Sequence, residues 1–408
     1  MKYRLKKFSD KLRGTVLLES SKSESNRTLI INALAEESGA LSNLSHARDT
    51  QTMLSLLNSQ RDILDVKDAG TTMRFLAAYL TIKGKGQTLT GTDRMKQRPI
   101  GPLVCALREI GARIEYLEED GHPPIKVHKI VKQKSDIVKI PGNISSQYIS
   151  ALLMIAPCLQ KGLTIELTTE IFSRPYIQLT LDLMNQFGVE VDWDKEKLKV
   201  EPQLYRSTSY TIEGDWSAAS YWYSFMALSQ KNDYLVLPGV KAYSSQGDHK
   251  IAQIMYDMGV GSHFVRGKVK LIKQAQKKHL ISLDFKDCPD LAQTVMVAAA
   301  ALGITLHMTG LESLRIKETD RIRAMKNELA KLGATLLENG RKWILAPGEW
   351  LPKSIEVETY EDHRMAMAFA PLCQLMDVTI KNPTIVEKSY PGYWDEIKKL
   401  GIEIEKMD

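Results

Sequence analysis

Apolar positions along the chain fall into two recurring phrases. In the first, an amphipathic helical stretch ends at a glycine and a short strand follows, at residues 107–114, 183–191, 254–260, 329–336 and 398–404. A glycine just past a helix can take the left-handed conformation that stops it. The glycines, at 111, 188, 259, 333 and 401, stand 77, 71, 74 and 68 residues apart, a spacing too regular for chance punctuation.

In the second phrase a polar cluster suited to cap a helix precedes an apolar helical run. It occurs at Ser23-Glu24-Ser25-Asn26-Arg27, Ala69-Gly70-Thr71-Thr72, Ser145-Ser146-Gln147, Asp215-Trp216-Ser217, Pro289-Asp290 and Glu361-Asp362-His363-Arg364. The two phrases predict six units of about 70 residues. The first is shorter, with only Asn58 where a capping glycine should stand. Units of this kind bury their apolar faces only against one another, so three and three make two α/β domains. The expected boundaries are 1–16 with 214–408 for one domain and 20–212 for the other. The chain crosses near 17–20 and again at Glu213, and a double crossing makes a hinge. If the helix starts converge on the cleft, their unpaired N–H groups and dipole ends form an anion trap.

Composition adds limits. The 408 residues, 43% hydrophobic and 25% charged, exceed what one core usually supports. No run approaches a membrane span and the first residues lack a secretory h-region, so a cytoplasmic protein is expected. The net charge of +6 is spread along the chain, which favours small anionic ligands over nucleic acid. Cys105, Cys158, Cys288 and Cys373 lie far apart among apolar neighbours and are expected as buried thiols. With no phosphate-loop, dinucleotide or zinc motif, neither cofactor nor metal is expected.

Several polar clusters carry cations. Ser21 to Arg27 brings Lys22 and Arg27 to a helix start, and Gly70 lets a ligand approach the next one. Pro99 keeps Arg98 extended in a basic loop. In Lys317-Glu318-Thr319-Asp320-Arg321, the two cations four apart should share a helix face, which is unfavourable unless an anion sits between them. His363 and Arg364 open a further helix. Trp216, Tyr221, Trp222, Tyr223 and Phe225 are expected in the core.

Together these segments resemble the 5-enolpyruvylshikimate-3-phosphate synthases, the enolpyruvyl transferases of the shikimate pathway. The resemblance spans nearly the whole chain, through S-K-S-x-S-N-R at 21–27, A-G-T-x-M-R at 69–74, R-M-K-x-R-P-I at 94–100, K-E-T-D-R at 317–321 and D-H-R-M-A-M at 362–367. It implies two inverse α/β barrel domains, each of three βαβαββ-type units, closing on shikimate 3-phosphate and phosphoenolpyruvate. It implies that Ser23, Arg27, Ser145, Ser146, Gln147, Ser173, Tyr176, Ser313 and Lys317 bind shikimate 3-phosphate. Lys22, Gly70, Arg98, Gln147, Arg321, Arg364 and Lys388 are the implied phosphoenolpyruvate contacts. Asp290, Glu318, Lys22 and His363 are the implied catalytic groups, with the division of proton transfers among them open. A monomer with no protein, nucleic-acid or membrane partner is expected.

The chain departs from that family's pattern at Glu19-Ser20, where Pro-Gly is usual, at Asp68, where Asn is usual, at Phe75 in place of Pro, and in its short first unit. Retention of Gly70 implies sensitivity to glyphosate. The nearest alternative, the transferase acting on UDP-N-acetylglucosamine, usually has a Cys in the loop matching 92–99, and none occurs there. A non-catalytic phosphometabolite-binding protein would not need the carboxylates Asp290 and Glu318.

Overall fold

A computed structural model describes residues 1–349 and 352–408. The described residues form two compact units, Met1–Glu19 with Glu213–Asp408 (unit 1) and Ser20–Ile212 (unit 2).

Each predicted polar cluster opens a helix: α1 (Lys22–Leu34), α2 (Gly70–Lys83), α3 (Ser146–Ile155), α4 (Trp216–Leu228), α5 (Ala292–Ala301) and α6 (His363–Phe369). The side chains of Ser21, Ser145, Asp215 and Asp362 accept from backbone N–H groups of the first turns, which satisfies donors a helix start leaves unpaired. α5 is entered differently. Asp290 lies in a single 3-10 turn, Pro289–Leu291, ahead of the helix rather than at its cap.

Nine of the ten residues of α3 and every residue of α6 are buried. A helix apolar all round belongs in the middle of a domain. α1, α2 and α3 pack on one another in unit 2, as do α4, α5 and α6 in unit 1. Sheets lie outside them: five of four strands and one of two among the described residues. Leu163–Leu167 is typical, turning Leu163, Ile165 and Leu167 inward and leaving Thr164 and Glu166 half-exposed. Helices within and strands without make each unit an inverse α/β barrel.

Within a complete unit two parallel strands flank the central helix, as Ile137–Ile140 and Leu163–Leu167 flank α3. An antiparallel hairpin then extends the sheet, here through Lys197–Val200 and Asp192–Asp194. Three sheets are assembled from distant parts of the chain, one of them by Lys2–Leu5 lying antiparallel between Asp377–Lys381 and Ile404–Met407. Leu41–Ser42 pairs in parallel with Tyr210–Thr211, and Arg13–Thr15 with Tyr234–Pro238. The short first unit is therefore reduced to a two-stranded sheet.

Gly111, Gly188, Gly259, Gly333 and Gly401 all have positive φ, as the helix-stop pattern requires. Asn58 ends the helix Arg48–Leu57 at φ −90 and so does not substitute for a left-handed glycine. The aromatic cluster of α4 is in the core, with Trp216, Tyr221, Trp222, Tyr223 and Phe225 all at most 1% exposed. Cys288 and Cys373 are buried and Cys158 half-buried, but Cys105 is exposed, against expectation. Its helix, Gly101–Ile110, buries Leu103, Val104, Ala106, Leu107 and Ile110, and Cys105 falls off that stripe. Among the described residues no helix is long and apolar enough to cross a membrane, and no group of three or more His, Cys, Asp or Glu could hold a metal ion.

Candidate active site

In unit 2 the starts of the central helices carry the residues singled out above. Lys22, in the first turn of α1, meets Asp49 at 3.1 Å, and Asp49 is buried. Arg27 lies one turn further in and is 2% exposed. It donates through Nε to Thr180 Oγ1 (2.7 Å), through Nη1 to the Ser23 carbonyl (2.9 Å), and through Nη2 to Ser150 Oγ (3.2 Å) and the Tyr176 carbonyl (3.3 Å). All four are uncharged acceptors. Burial accordingly lowers its pKa to about 10, which marks a cation that a bound anion would favour.

Ser145 caps α3, Ser146 is buried in its first turn, and Gln147 donates to Thr71 Oγ1 at 2.9 Å, joining the starts of α3 and α2. Ser173 precedes the helix Arg174–Gln186 in a left-handed conformation, with Tyr176 half-buried behind it. Gly70 opens α2 beneath two guanidinium groups. A Cβ there would stand 2.5 Å from Arg98 Nη1 and 2.7 Å from Arg74 Nη1. Asp68, the departure beside this loop, meets Arg48 at 3.3 Å. Lys22, Arg27, Gly70, Arg98 and Gln147 thus sit on or against the positive ends of three adjacent helices.

In unit 1 the Lys317 to Arg321 run does not form one helix face. Lys317 is extended after a 3-10 segment, and the helix Arg321–Ala330 begins with Asp320 as its cap. The cations nevertheless meet one negative group, which the protein supplies: Asp290 Oδ1 is 3.5 Å from Lys317 Nζ and 2.8 Å from Arg321 Nη1. Arg321 also bonds Glu318 Oε2 (2.8 Å) and Asp362 Oδ2 (2.7 Å). Arg364 binds Asp290 Oδ2 at 2.8 Å and donates to the Tyr221 hydroxyl (3.3 Å) and to Ser217 Oγ (3.4 Å).

Three cations and three carboxylates therefore share one largely buried network. Burial alone would raise the Asp290 pKa, but Arg364, Lys317 and Arg321 outweigh it and hold this carboxyl far below its usual range. Burial would weaken the charged form of Arg321, and its carboxylate partners more than restore it. Ser217 also bonds Asp248, a buried carboxyl that burial and the Asp290 charge push up to about 6. His363 is 2% exposed, with Nδ1 3.7 Å from Asp362 Oδ1, beyond hydrogen-bond length. Lys388 is buried at the end of the 3-10 segment Pro383–Lys388, which packs on α6. Ser313 is half-buried in the turn before Lys317.

Several partners in these clusters escaped the sequence reading. Asp362 and Arg74 stand inside motifs that were recognised, but their roles depend on what they touch. Asp49, Asp248 and Tyr148 carry no local signal, because their partners lie 27 or more positions away along the chain; Ser217 stands in a helix-capping cluster that gives no hint of its bond to Arg364.

Two inverse barrels whose central helix starts gather buried arginines define a class of α/β proteins suited to multiply anionic ligands. The sequence model of the family described as EPSP synthase (3-phosphoshikimate 1-carboxyvinyltransferase) matches residues 6–61 and 56–397. The 3-phosphoshikimate 1-carboxyvinyltransferase of Bacteroides fragilis is 46% identical over 97% of both chains, and that of Shewanella woodyi 35% identical over 96% of this chain and 97% of its own. The EPSP synthase of Acinetobacter baumannii has the same fold, with a TM-score of 0.80 at 19% identity, covering 99% of this chain and 100% of its own. The chain belongs to the EPSP synthase family.

Proposed function

We infer that the protein transfers the enolpyruvyl group of phosphoenolpyruvate to the 5-hydroxyl of shikimate 3-phosphate, releasing phosphate, as a transferase of aromatic amino acid biosynthesis. The reading is carried by the 46% identity to a 3-phosphoshikimate 1-carboxyvinyltransferase along 97% of both chains, with all five motifs in order. Ser23, Arg27, Ser145, Ser146, Gln147, Ser173, Tyr176, Ser313 and Lys317 hold shikimate 3-phosphate. Lys22, Gly70, Arg98, Gln147, Arg321, Arg364 and Lys388 hold phosphoenolpyruvate. Each charge-assisted contact contributes roughly 1.5 to 3 kcal/mol.

In the addition step the substrate hydroxyl attacks C2 and gives up its proton while C3 gains one; in the elimination the bond from C2 to the phosphate oxygen breaks, C3 loses a proton and the departing phosphate takes one up. Asp290 begins as a very weak base because three cations surround it. When phosphoenolpyruvate draws Arg364 away from Asp290, its basicity rises where the attacking hydroxyl must lose a proton. Glu318, Lys22 and His363 serve the other transfers. The protein is read as a cytoplasmic monomer without cofactor.

The test follows phosphate release with phosphoenolpyruvate and either shikimate 3-phosphate or UDP-N-acetylglucosamine. Release is expected only with the shikimate ester, and glyphosate should suppress it; release only with the sugar nucleotide overturns the reading. Glu318→Gln should cut turnover at least about tenfold with shikimate 3-phosphate affinity nearly intact. Equal loss of both would assign Glu318 a structural role.

A further inference from the structure

Tyr148 stands next to Gln147 in the first turn of α3 and is 3% exposed, yet none of the substrate contacts above uses it. Its hydroxyl donates to the Pro99 carbonyl at 2.5 Å. Arg74, on α2, reaches the same carbonyl through Nη2 at 3.4 Å and gives Nη1 to the Gly70 carbonyl at 2.9 Å. The Arg74 guanidinium lies over the Tyr148 ring, 5.4 Å from its centroid. Pro99 directly follows Arg98, whose guanidinium is the other group over Gly70.

Two like charges are thus crowded around one glycine, an arrangement that is unfavourable unless both are held in place. Arg74 is fastened by two carbonyls and an aromatic face. The backbone that carries Arg98 is fastened at Pro99, where the short bond comes from Tyr148 and the long one from Arg74.

We propose that Tyr148 is a positioning residue for phosphoenolpyruvate binding: by pinning the Pro99 carbonyl together with Arg74, it keeps the Arg98 guanidinium over Gly70 before the anion arrives. A Phe at this position would keep the ring and its packing and lose only the hydrogen bond. The proposal rests on the reading of Arg98 as a phosphoenolpyruvate ligand.

The test is a double-mutant cycle on steady-state kinetics. Tyr148→Phe should raise the KM for phosphoenolpyruvate about three- to tenfold, with kcat within about twofold and the KM for shikimate 3-phosphate unchanged. Arg98→Ala should raise the same KM further, and adding Tyr148→Phe to it should then change nothing, because the group being positioned is gone. A purely structural Tyr148 would lower Tm and active fraction without this selectivity, and its effect would persist in the Arg98→Ala background. An unchanged KM in Tyr148→Phe, or a full effect in the double variant, overturns the proposal. If Arg98→Ala itself leaves that KM unaltered, the ligand assignment falls and takes the proposal with it.

Discussion

Asp248 illustrates how a single buried carboxyl couples the site to pH. Burial and the neighbouring Asp290 raise its pKa from 3.8 to about 6, so the folded protein holds this proton more tightly than the unfolded chain does. Stability from this group is complete below about pH 4 and is lost as pH rises through about 6. Asp290, held well below 3.8, acts in the opposite sense and only in more acid solution. Asp248→Asn removes the first effect. The Tm of that variant relative to the unmodified protein should therefore rise between about pH 4.5 and pH 7, by the equivalent of at least about 1 kcal/mol. A difference that stays level or falls would mean that Arg364 and Ser217 already compensate the buried charge. At this scale the sequence exposed cations well and their partners poorly. A motif fixes the identity and local spacing of Lys22, Arg321 and Arg364, whereas Asp49, Asp290 and Asp362 become their counter-charges only when separate segments meet.

At the scale of elements, the glycine spacing was informative because a helix stop is a local event. The left-handed backbone that ends a helix excludes a Cβ by contacts within the residue itself, so the requirement is written at one position. The cost of breaking it still depends on neighbours. At Gly401, with φ +87, an added Cβ would meet only Phe8 Cε2, at 3.8 Å, so Gly401→Ala should cost only about 1 kcal/mol of backbone strain. Gly111, at φ +123, would bring its Cβ within 2.6 Å of the Lys132 carbonyl, a backbone atom that cannot swing aside. Gly111→Ala should cost about 2 kcal/mol or more, and urea denaturation of the two variants would rank them. Equal losses would show that the Lys132 segment yields freely. The Lys317 to Arg321 segment shows the converse case. Four-residue spacing suggested a shared helix face, but Asp320 caps a helix that starts only at Arg321. An Asp cap competes locally with helix continuation, and here it won.

Over the whole molecule, a net charge of +6 acts on substrates that are both multiply anionic. Their capture should be assisted at long range, so kcat/KM for phosphoenolpyruvate should fall at least about twofold between about 20 and 200 mM salt, with kcat nearly constant. Salt-independent kcat/KM would confine electrostatics to the buried contacts. The sequence by itself determined the six-fold repetition, the helix starts and stops, and the motifs that belong to the EPSP synthase family, because periodicity, capping and short-range chemistry are properties of neighbouring residues. Only the tertiary structure decided that Leu41–Ser42 pairs with Tyr210–Thr211 and Arg13–Thr15 with Tyr234–Pro238, since hydrogen bonding across about 170 to 220 intervening residues leaves no local trace. It alone also decided that the charge between Lys317 and Arg321 is Asp290. A buried cation requires some negative or polar partner, but which one arrives is set by the packing of α5 and α6 around it.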